Sequence, residues 1–361
     1  QYPMSQVFIG LSGGVDSAVA ALLLKQAGHQ LTAVFMKNWD EDDESGYCPA
    51  EADLVDAREV CDLLDIELQT VSFSAEYWNR VFRFFLDEYQ AGRTPNPDIT
   101  CNQEIKFRAF LDYALDKGAD VIATGHYAQT DSNRAARLLR ARDSNKDQTY
   151  FLHRLDQAQL SKSLFPIGHL EKTTVREMAT QAGFHNHDKK DSTGICFIGE
   201  RKFSEFLARY LPRQPGEIRT LDGALVGEHQ GLVFYTIGQR QGLGIGGKRD
   251  TPGTPWYVVD KDMDHNILCV AQGVDHPALF KRCLHASQLH WIAGQPPELP
   301  LSCTARIRYR QSDQPCRINA NVPGQALVEF EQPQRAITPG QSVVFYDGEV
   351  CLGGGIIDAA I

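Results

Sequence analysis

The sequence lacks the features of a membrane-bound or secreted protein. It has no apolar run approaching the ~20 residues that a membrane-spanning helix needs. Residues 1–6 also lack the basic and apolar regions of a signal peptide. Nine cysteines, an odd number with no C-x-x-C pair, are scattered through a chain too long to need cross-links. These absences predict a cytoplasmic protein with no membrane contact, whose cysteines are mostly reduced and buried.

The length indicates how many domains the chain can form, and the charge distribution indicates which partners it can bind. A chain of 361 residues, 42% of them apolar, is long enough for two or three domains. The net charge of −10 is concentrated between Asp40 and Glu67, where twelve acids and one base give −11, which leaves +1 elsewhere. The near-neutral remainder has room for basic patches that bind nucleic acid. The acidic segment could recruit a basic partner protein.

The pattern of elements changes along the chain. Strand-like segments at residues 7–11, 31–36, 66–73 and 121–124 alternate with helical ones at 16–27, 54–64, 75–89 and 103–117. This alternation predicts an α/β Rossmann-like fold, a parallel sheet covered by helices on both faces. After residue 211, short alternating runs between glycines and prolines predict β structure, including a strand at 305–309. We predict an α/β domain at 1–211, a small central β-rich domain at 212–275 and a C-terminal β-barrel at 276–361.

A glycine-rich loop joins the first strand to the first helix. It reads Ser12-Gly-Gly-Val-Asp-Ser17, and glycines at such a junction let backbone N–H groups approach a phosphate. An ordinary tight turn with Asp16 or Ser17 as the helix cap is the alternative. The loop has neither the lysine of the kinase-type loop nor the G-x-G-x-x-G spacing. That spacing does occur at 242–247, but the residues that follow, Lys-Arg-Asp-Thr-Pro, argue against a dinucleotide site.

Two cysteines have unusual surroundings. Cys101 follows the proline-rich stretch 92–98, which predicts irregular structure, and precedes a helix predicted to begin near Gln103. A thiol at a helix N-terminus has a lowered pKa, and Lys106 and Arg108 could add to this effect. Cys196 lies in a loop with two lysines and two glycines. For either thiol an inert buried cysteine is the alternative; a structural metal site is excluded by ligand spacing, and no residues are predicted to hold a structural metal.

Taken together, these motifs resemble those of the bacterial tRNA-specific 2-thiouridylases. The phosphate loop itself resembles that of the pyrophosphatase-loop ATPases, which adenylate their substrates. The similarity runs from about Val7 to the C-terminus. Its matching stretches are residues 12–17, 35–39, 92–107, 123–127, 145–150, 189–201, 238–247, 256–261, 308–311 and 339–355.

The resemblance implies ATP-dependent 2-thiolation of the wobble uridine (position 34) of tRNA. ATP with Mg²⁺ would adenylate O2 of the uracil, Cys196 would carry a persulfide, and Cys101 would resolve the adduct through a transient disulfide. Either the persulfide attacks C2 directly or Cys101 first releases hydrosulfide. The expected partners are the tRNAs for lysine, glutamate and glutamine and a sulfur-relay carrier or cysteine desulfurase. The resemblance makes residues 1–211 the ATP-binding catalytic domain. The implied ATP-binding residues are Gly10, Leu11, Ser12, Gly13, Gly14, Val15, Asp16, Ser17, Met36 and Gly125.

The resemblance also assigns contacts with the RNA. The predicted target-base and tRNA contacts are Asn96, Pro97, Asp98, His126, Lys146, Asp147, Gln148, Arg308, Tyr309 and Gln341. In the predicted strand around 305–310, Arg306, Arg308 and Arg310 would share one face, suited to phosphates. A solvated strand face is an equally good interpretation of that stripe, and His126 alone would more often be structural.

Two other functions fit parts of the pattern. A synthetase that adenylates a small molecule would use the loop but neither Cys101 nor Cys196. A nucleotide- or RNA-binding regulator with a degenerate loop would release no pyrophosphate. The joint presence of the loop and both cysteines in extended motifs favours the thiolation enzyme.

Overall fold

The computed structural model describes residues 4–39, 49–132, 135–191, 203–245 and 253–361. The strands are β1 Gln6–Gly10, β2 Gln30–Lys37, β3 Glu67–Ser72, β4 Val121–Ala123, β5 Gln129–Ser132, β6 Ala136–Leu139, β7 Ser163–Leu164, β8 Gly216–Thr220, β9 Leu225–His229, β10 Trp256–Asp262, β11 Ile267–Gln272, β12 Phe280–Trp291, β13 Leu301–Arg306, β14 Gln314–Val322, β15 Gln325–Arg335, β16 Ser342–Asp347 and β17 Val350–Ala360.

The helices are concentrated in the first half. They are α1 Val15–Gln26, α2 Pro49–Leu64, α3 Ser74–Tyr77, α4 Arg83–Gln90, α5 Pro97–Cys101, α6 Phe110–Asp116, α7 Thr149–Leu152, α8 Gln157–Leu160, α9 Lys172–Gln181 and α10 Phe203–Leu207. π-Helical turns at Trp78–Phe82 and Asn102–Ala109 join α3 to α4 and α5 to α6. Short 3-10 turns lie at Leu232–Phe234 and Pro277–Leu279. Among the described residues, no helix is both long and apolar enough to cross a bilayer.

The first sheet has five strands in the order β3-β2-β1-β4-β7, all paired in parallel. Successive side chains of β1 alternate between the two faces. Val7 and Ile9 pack in a cluster with α1 and α9, while Phe8 packs in a second cluster with the helices of residues 74–116. The prediction of a parallel sheet with helices on both faces is therefore confirmed.

The second half is β structure, as predicted. A four-stranded sheet in the order β10-β11-β8-β9 forms the central part. The C-terminal strands follow the order β12-β15-β14-β13-β16-β17, and β17 also pairs with β12, which closes a six-stranded barrel. Its interior contains Leu284, Ile318, Val328 and Phe345, all fully buried.

The barrel sheet also receives a hairpin that the sequence did not predict. Strands β5 and β6 pair with each other, and β6 pairs with β17 through Leu138 and Cys351. Directly after β6, the guanidinium of Arg140 lies 3.8 Å from the ring centre of Tyr346 and 2.7 Å from Asp313 Oδ2. The first half of the chain is thus joined to the barrel by hydrogen bonds, an ion pair and a cation–π contact.

Two predicted boundaries were wrong in ways that matter for the site. The helix expected from Gln103 begins at Pro97, because proline is tolerated in the first turn and Asn96 caps it, with Oδ1 accepting from the N–H groups of Asp98 and Ile99. The strand expected over 305–309 ends at Arg306.

Candidate active site

The glycine-rich loop lies where the strand order of the parallel sheet reverses. It follows β1, which has β2 on one side and β4 on the other. At such a position the loops at the carboxyl ends of the strands diverge and leave a crevice for a ligand. Gly14 is the N-cap residue of α1 and offers no capping side chain. The first-turn N–H groups of α1 are therefore suited to bind a phosphate, and the alternative of Asp16 or Ser17 as cap is wrong.

The conformation of this loop depends on close backbone contacts. Gly13 has φ +79°, and a Cβ there would lie 2.5 Å from the carbonyl oxygen of Asp53 in α2. The carbonyl oxygen of Gly13 accepts hydrogen bonds from Asn186 Nδ2 at 3.0 Å and Lys189 Nζ at 3.3 Å. Ser17 Oγ accepts from the N–H of Ser12 at 3.2 Å. Helix α2 and residues 186–189 thus fix the backbone of the loop at Gly13.

Part of the acidic segment serves this structure. Lys189 forms ion pairs with Asp53, at 2.7 Å, and with Asp56. His185 contacts Asp56 and Glu59 as well. Burial by itself would raise the pKa of Asp56, but Lys189 and His185 outweigh it and lower that pKa. These acids anchor residues 185–189 behind the phosphate loop.

Asp16 lies at the centre of a charge network that the sequence did not reveal. Its Oδ1 accepts hydrogen bonds from Lys172 Nζ at 2.7 Å and from the Tyr127 hydroxyl at 2.8 Å. Lys172, almost buried at the start of α9, also lies 2.7 Å from Asp191. Asp191 is 2.7 Å from Lys146. The loop lacks a lysine of its own, and Lys172 brings one to it from 156 residues away.

Burial and the neighbouring charges shift the pKa values of two members of this network. Burial alone would raise the pKa of Asp191, but hydrogen bonds from Lys146 and Lys172 lower it to about 2. Burial and the neighbouring carboxylate of Asp16 raise the pKa of Tyr127, which keeps its hydroxyl a hydrogen-bond donor. Asp191 therefore remains ionised and Tyr127 protonated at neutral pH.

The structure brings the two predicted adenosine-side residues to the loop. A Cβ on Gly10 would lie 3.0 Å from Met36 Cε, so the end of β1 and the end of β2 are in contact. A Cβ on Gly125 would lie 2.6 Å from the backbone nitrogen of Ser17. The residues after β4 thus pack directly on the first turn of α1.

Cys101 is the last residue of α5 and is only 2% exposed, among apolar residues that include Ile105 and Phe110. Because α5 begins at Pro97, Cys101 is not at a helix N-terminus, and the prediction that it precedes the helix is wrong. Cys196 lies outside the described residues.

Asn102, next to Cys101, connects α5 with α7. Its Nδ2 donates to the carbonyl oxygen of Phe151 at 3.2 Å, and its buried Oδ1 accepts no hydrogen bond from the described residues. The ring of Phe151 lies 4.4 Å from that of Tyr309 in the barrel. The end of α5, helix α7 and the segment that follows β13 therefore meet at Phe151. The sequence pattern did not mark Asn102 as a residue that links α5 to α7, although its position next to Cys101 could have indicated a structural role there.

The predicted base contacts lie in the first turn of α5. The capping bonds of Asn96 use its Oδ1. Pro97 is buried. Asp98 is largely enclosed, and burial raises its pKa although Lys106 acts in the opposite direction.

The predicted tRNA contacts of the first half have partners within the chain. His126 Nδ1 lies 2.8 Å from Thr124 Oγ1, and burial followed by the charge of Lys106 holds its pKa well below the usual range. Asp147, 3% exposed, accepts from the N–H of Ala141 and the hydroxyl of Thr149. Gln148 Oε1 accepts from the N–H of Tyr127 at 2.8 Å. Gln148 is thus bound to the backbone of Tyr127, whose hydroxyl donates to Asp16.

The predicted arginine stripe does not exist as a strand face. After β13 ends at Arg306, the chain turns, and Arg310 has φ +65°. Arg306 Nε pairs with Asp313 at 2.7 Å, and Arg308 Nη1 donates to the carbonyl oxygen of Arg335 at 3.0 Å. The turn breaks the alternation that would have aligned the three guanidinium groups.

Comparisons with known proteins agree with this architecture. Family models match three consecutive parts of the chain: a tRNA methyl transferase HUP domain at residues 5–200, a tRNA methyl transferase PRC-barrel domain at 204–272 and an aminomethyltransferase beta-barrel domain at 281–357. The tRNA-specific 2-thiouridylase MnmA of Salmonella typhimurium (strain LT2) is 60% identical, covering 98% of this chain and 96% of that protein. The corresponding protein of Alcanivorax borkumensis is 57% identical, covering 98% and 97%.

The match of a HUP-domain model and two β-module models to consecutive parts of the chain indicates a tRNA-modifying enzyme of the HUP class. Identity of 57–60% over nearly the whole length is specific enough to go further. The chain belongs to the tRNA-specific 2-thiouridylase family, and it is therefore a sulfurtransferase enzyme.

Proposed function

We propose that this enzyme uses ATP to replace O2 of the wobble uridine of tRNA by sulfur, with release of AMP and pyrophosphate. The observation that carries the proposal is the phosphate loop at the point where the strand order reverses, in a chain of the 2-thiouridylase family. The open amides at the start of α1 receive the phosphates of ATP. Gly10, Met36 and Gly125 border the same loop, next to the adenosine.

Asp16 is suited to hold Mg²⁺. It is a partly exposed carboxylate in the first turn of α1, the ligand type that this hard cation prefers. The ion would offset the phosphate charge there. Lys172 balances the charge of Asp16, and Tyr127 orients its carboxylate.

The chemistry follows from making O2 a leaving group. O2 of the uracil attacks the α-phosphorus of ATP and pyrophosphate leaves. The outer sulfur of a persulfide on Cys196 then attacks C2, and AMP departs with the oxygen. Attack of the Cys101 thiolate on the sulfur of Cys196 breaks the remaining S–S bond, which leaves 2-thiouridine and a Cys101–Cys196 disulfide. A thiol reductant restores both cysteines for the next cycle.

The tRNA contacts the surfaces that surround α5. Asn96, Pro97 and Asp98 bind the unstacked target base, because a single-stranded loop base can be hydrogen-bonded on its edges. His126, residues 146–148, Arg308, Tyr309 and Gln341 flank the anticodon. The tRNAs for lysine, glutamate and glutamine are the proposed substrates, and a sulfur-relay carrier or cysteine desulfurase supplies the persulfide sulfur.

Replacing either cysteine tests this function. Purified enzyme is incubated with unmodified tRNA, ATP, cysteine, a cysteine desulfurase and a thiol reductant, and mass spectrometry detects the replacement of oxygen by sulfur in uridine. Cys101→Ser and Cys196→Ser should each lower thiolation by about a thousandfold or more, since a nucleophile is lost. Cys283→Ser, which changes a partly exposed thiol in β12, should leave the rate within about twofold.

The assay also separates the alternatives. If the unaltered enzyme forms no 2-thiouridine, and both Cys101→Ser and Cys196→Ser release pyrophosphate at its rate, the result would contradict the proposal and favour a synthetase. Absence of tRNA-dependent pyrophosphate release in the unaltered enzyme would favour a binding protein.

A further inference from the structure

The loop that leads into α5 is held by both β modules. We name residues 92–96 the entry loop, because they end at Asn96, the cap of α5. The end of this loop and the helix that follows carry the proposed base contacts and Cys101. A shift of the loop would therefore move all of these groups together.

The barrel binds the entry loop through the backbone of Thr94. The N–H of Thr94 donates to the carbonyl oxygen of Pro339 at 2.9 Å, and its carbonyl oxygen accepts from Gln341 Nε2 at 2.6 Å. Gly340, with φ +93°, lies so close that a Cβ there would be 2.8 Å from the nitrogen of Thr94. Both backbone polar groups of one residue are thus bound by a single barrel loop.

The central module, which contains the four-stranded sheet of β8 to β11, also binds the entry loop. Lys261 Nζ, in β10, donates to the carbonyl oxygen of Gly92 at 3.1 Å. Thr236 Oγ1 lies 3.1 Å from Thr94 Oγ1. A Cβ on Gly92, which has φ +79°, would lie 2.5 Å from Met263 Sδ. These contacts come from segments of the central module that are well apart in sequence.

Lys261 is the unusual member of this set. Burial lowers its pKa to about 8, so its ammonium group is largely removed from water. Burying an ammonium group is unfavourable unless hydrogen bonds compensate, and an apolar residue would avoid that cost. A lysine at this place is therefore better explained by its bond to the entry loop than by the stability of β10.

We propose that Lys261 is a positioning residue for sulfur transfer, which holds the entry loop so that α5 presents Cys101 and the base contacts to the adenylated uridine. This inference rests on the proposed function. It assigns to the central module the placement of α5, while binding of the tRNA body depends on other surfaces. Misplacement of reacting groups by about 1 Å can lower a rate by about a hundredfold.

The experiment compares Lys261→Met, Lys261→Arg and the control Lys281→Met, which replaces an exposed lysine in β12. Single-turnover thiolation is measured at saturating tRNA and ATP, and tRNA affinity is measured separately. Lys261→Met should lower the rate by about 10- to 100-fold while the Kd for tRNA stays within about twofold. Lys261→Arg should recover part of the rate, and Lys281→Met should behave as the unaltered enzyme.

Thr236→Val provides a second variant if Lys261→Met does not fold. It removes only the hydroxyl contact with Thr94, so the same rate should fall by a smaller factor.

An unchanged saturated rate in Lys261→Met would overturn the inference, as would a loss confined to tRNA affinity. If Lys261→Met does not fold, an unchanged rate in Thr236→Val would overturn it. An unaltered enzyme that forms no 2-thiouridine would instead overturn the proposed function, and the inference with it.

Discussion

Single residues determine the shape of the glycine-rich loop and its surroundings. Gly13 and Gly125 each lie where a side chain would collide with the backbone of another element, α2 for the first and α1 for the second. The glycines of the motif were visible in the sequence. Their contact partners were not, because Asp53 is 40 residues from Gly13 and Ser17 is 108 residues from Gly125 in the chain.

Gly125→Ala should weaken the nucleotide site. The added methyl group would lie 2.6 Å from the nitrogen of Ser17 and would displace the first turn of α1. We expect a loss of about 1–3 kcal/mol in the free energy of unfolding, as for overpacked sites, and a higher KM for ATP. Denaturant unfolding and pyrophosphate-release kinetics measure the two effects. Gly227→Ala is the control, since its Cβ would meet Ile218 at an ordinary 3.5 Å; equal behaviour of the two variants would contradict the close contact.

At the scale of elements, the start of α9 and residues 186–191 complete a site that α1 begins. Lys172, Asp191 and Lys189 come from these segments and reach Asp16, Lys146 and Gly13. Most helices and strands of the α/β part were predicted from the local sequence pattern. Helix α5 was not. Its two neighbouring prolines suggested irregular structure, yet Pro97 starts a helix because Asn96 satisfies the first N–H groups.

The charge network predicts a specific pH dependence. The pKa of Asp191 is about 2 in the folded protein, below its ordinary value of 3.8, so the ionised form stabilises the fold. That stabilisation is complete above about pH 4 and is lost as the pH falls toward 2. Asp191→Asn should therefore lower the Tm at pH 7, and the difference from the unaltered protein should shrink below pH 4.

Thermal melts between pH 7 and pH 2.5 measure this difference. Asp264→Asn, an exposed acid in the turn between β10 and β11, is the control and should show no such trend. A Tm difference for Asp191→Asn that grows toward low pH would contradict the assigned network.

At the scale of the whole molecule, the α/β part and the barrel are one structural unit. Strand β6 extends the barrel sheet, Gln341 binds the entry loop, and Tyr309 packs against Phe151. Sequence patterns predicted the β character of the second half, but a local pattern contains no information about which strand edge accepts β6. Long-range pairing is decided by fit between surfaces that lie far apart in the chain.

Arg140→Ala should reveal this connection. The variant loses the hydrogen bonds of Arg140 to Asp313 and to the carbonyl oxygen of Gly348, and its stacking on Tyr346. We expect the free energy of unfolding to fall by about 2–3 kcal/mol, since hydrogen bonds that involve a charged group are at stake. Urea unfolding measures the change.

Arg137→Ala is the matched control for that variant. Arg137 pairs with Asp131 at the exposed surface of the same hairpin, so its loss should lower the free energy of unfolding by much less than the loss of Arg140 does. Equal losses in the two variants would show that Arg140 does not join the two halves.

The sequence by itself determined the alternation of strands and helices, the phosphate loop and the family to which the chain belongs. These features are local, since side-chain periodicity and glycine placement act within one or two elements. Only the tertiary structure decided that Lys172 reaches Asp16, that Lys261 and Gln341 hold the entry loop, and that β6 joins the barrel sheet. Such contacts depend on how separately folded segments fit together, and a hydrogen bond between distant residues leaves no periodic signal in the chain.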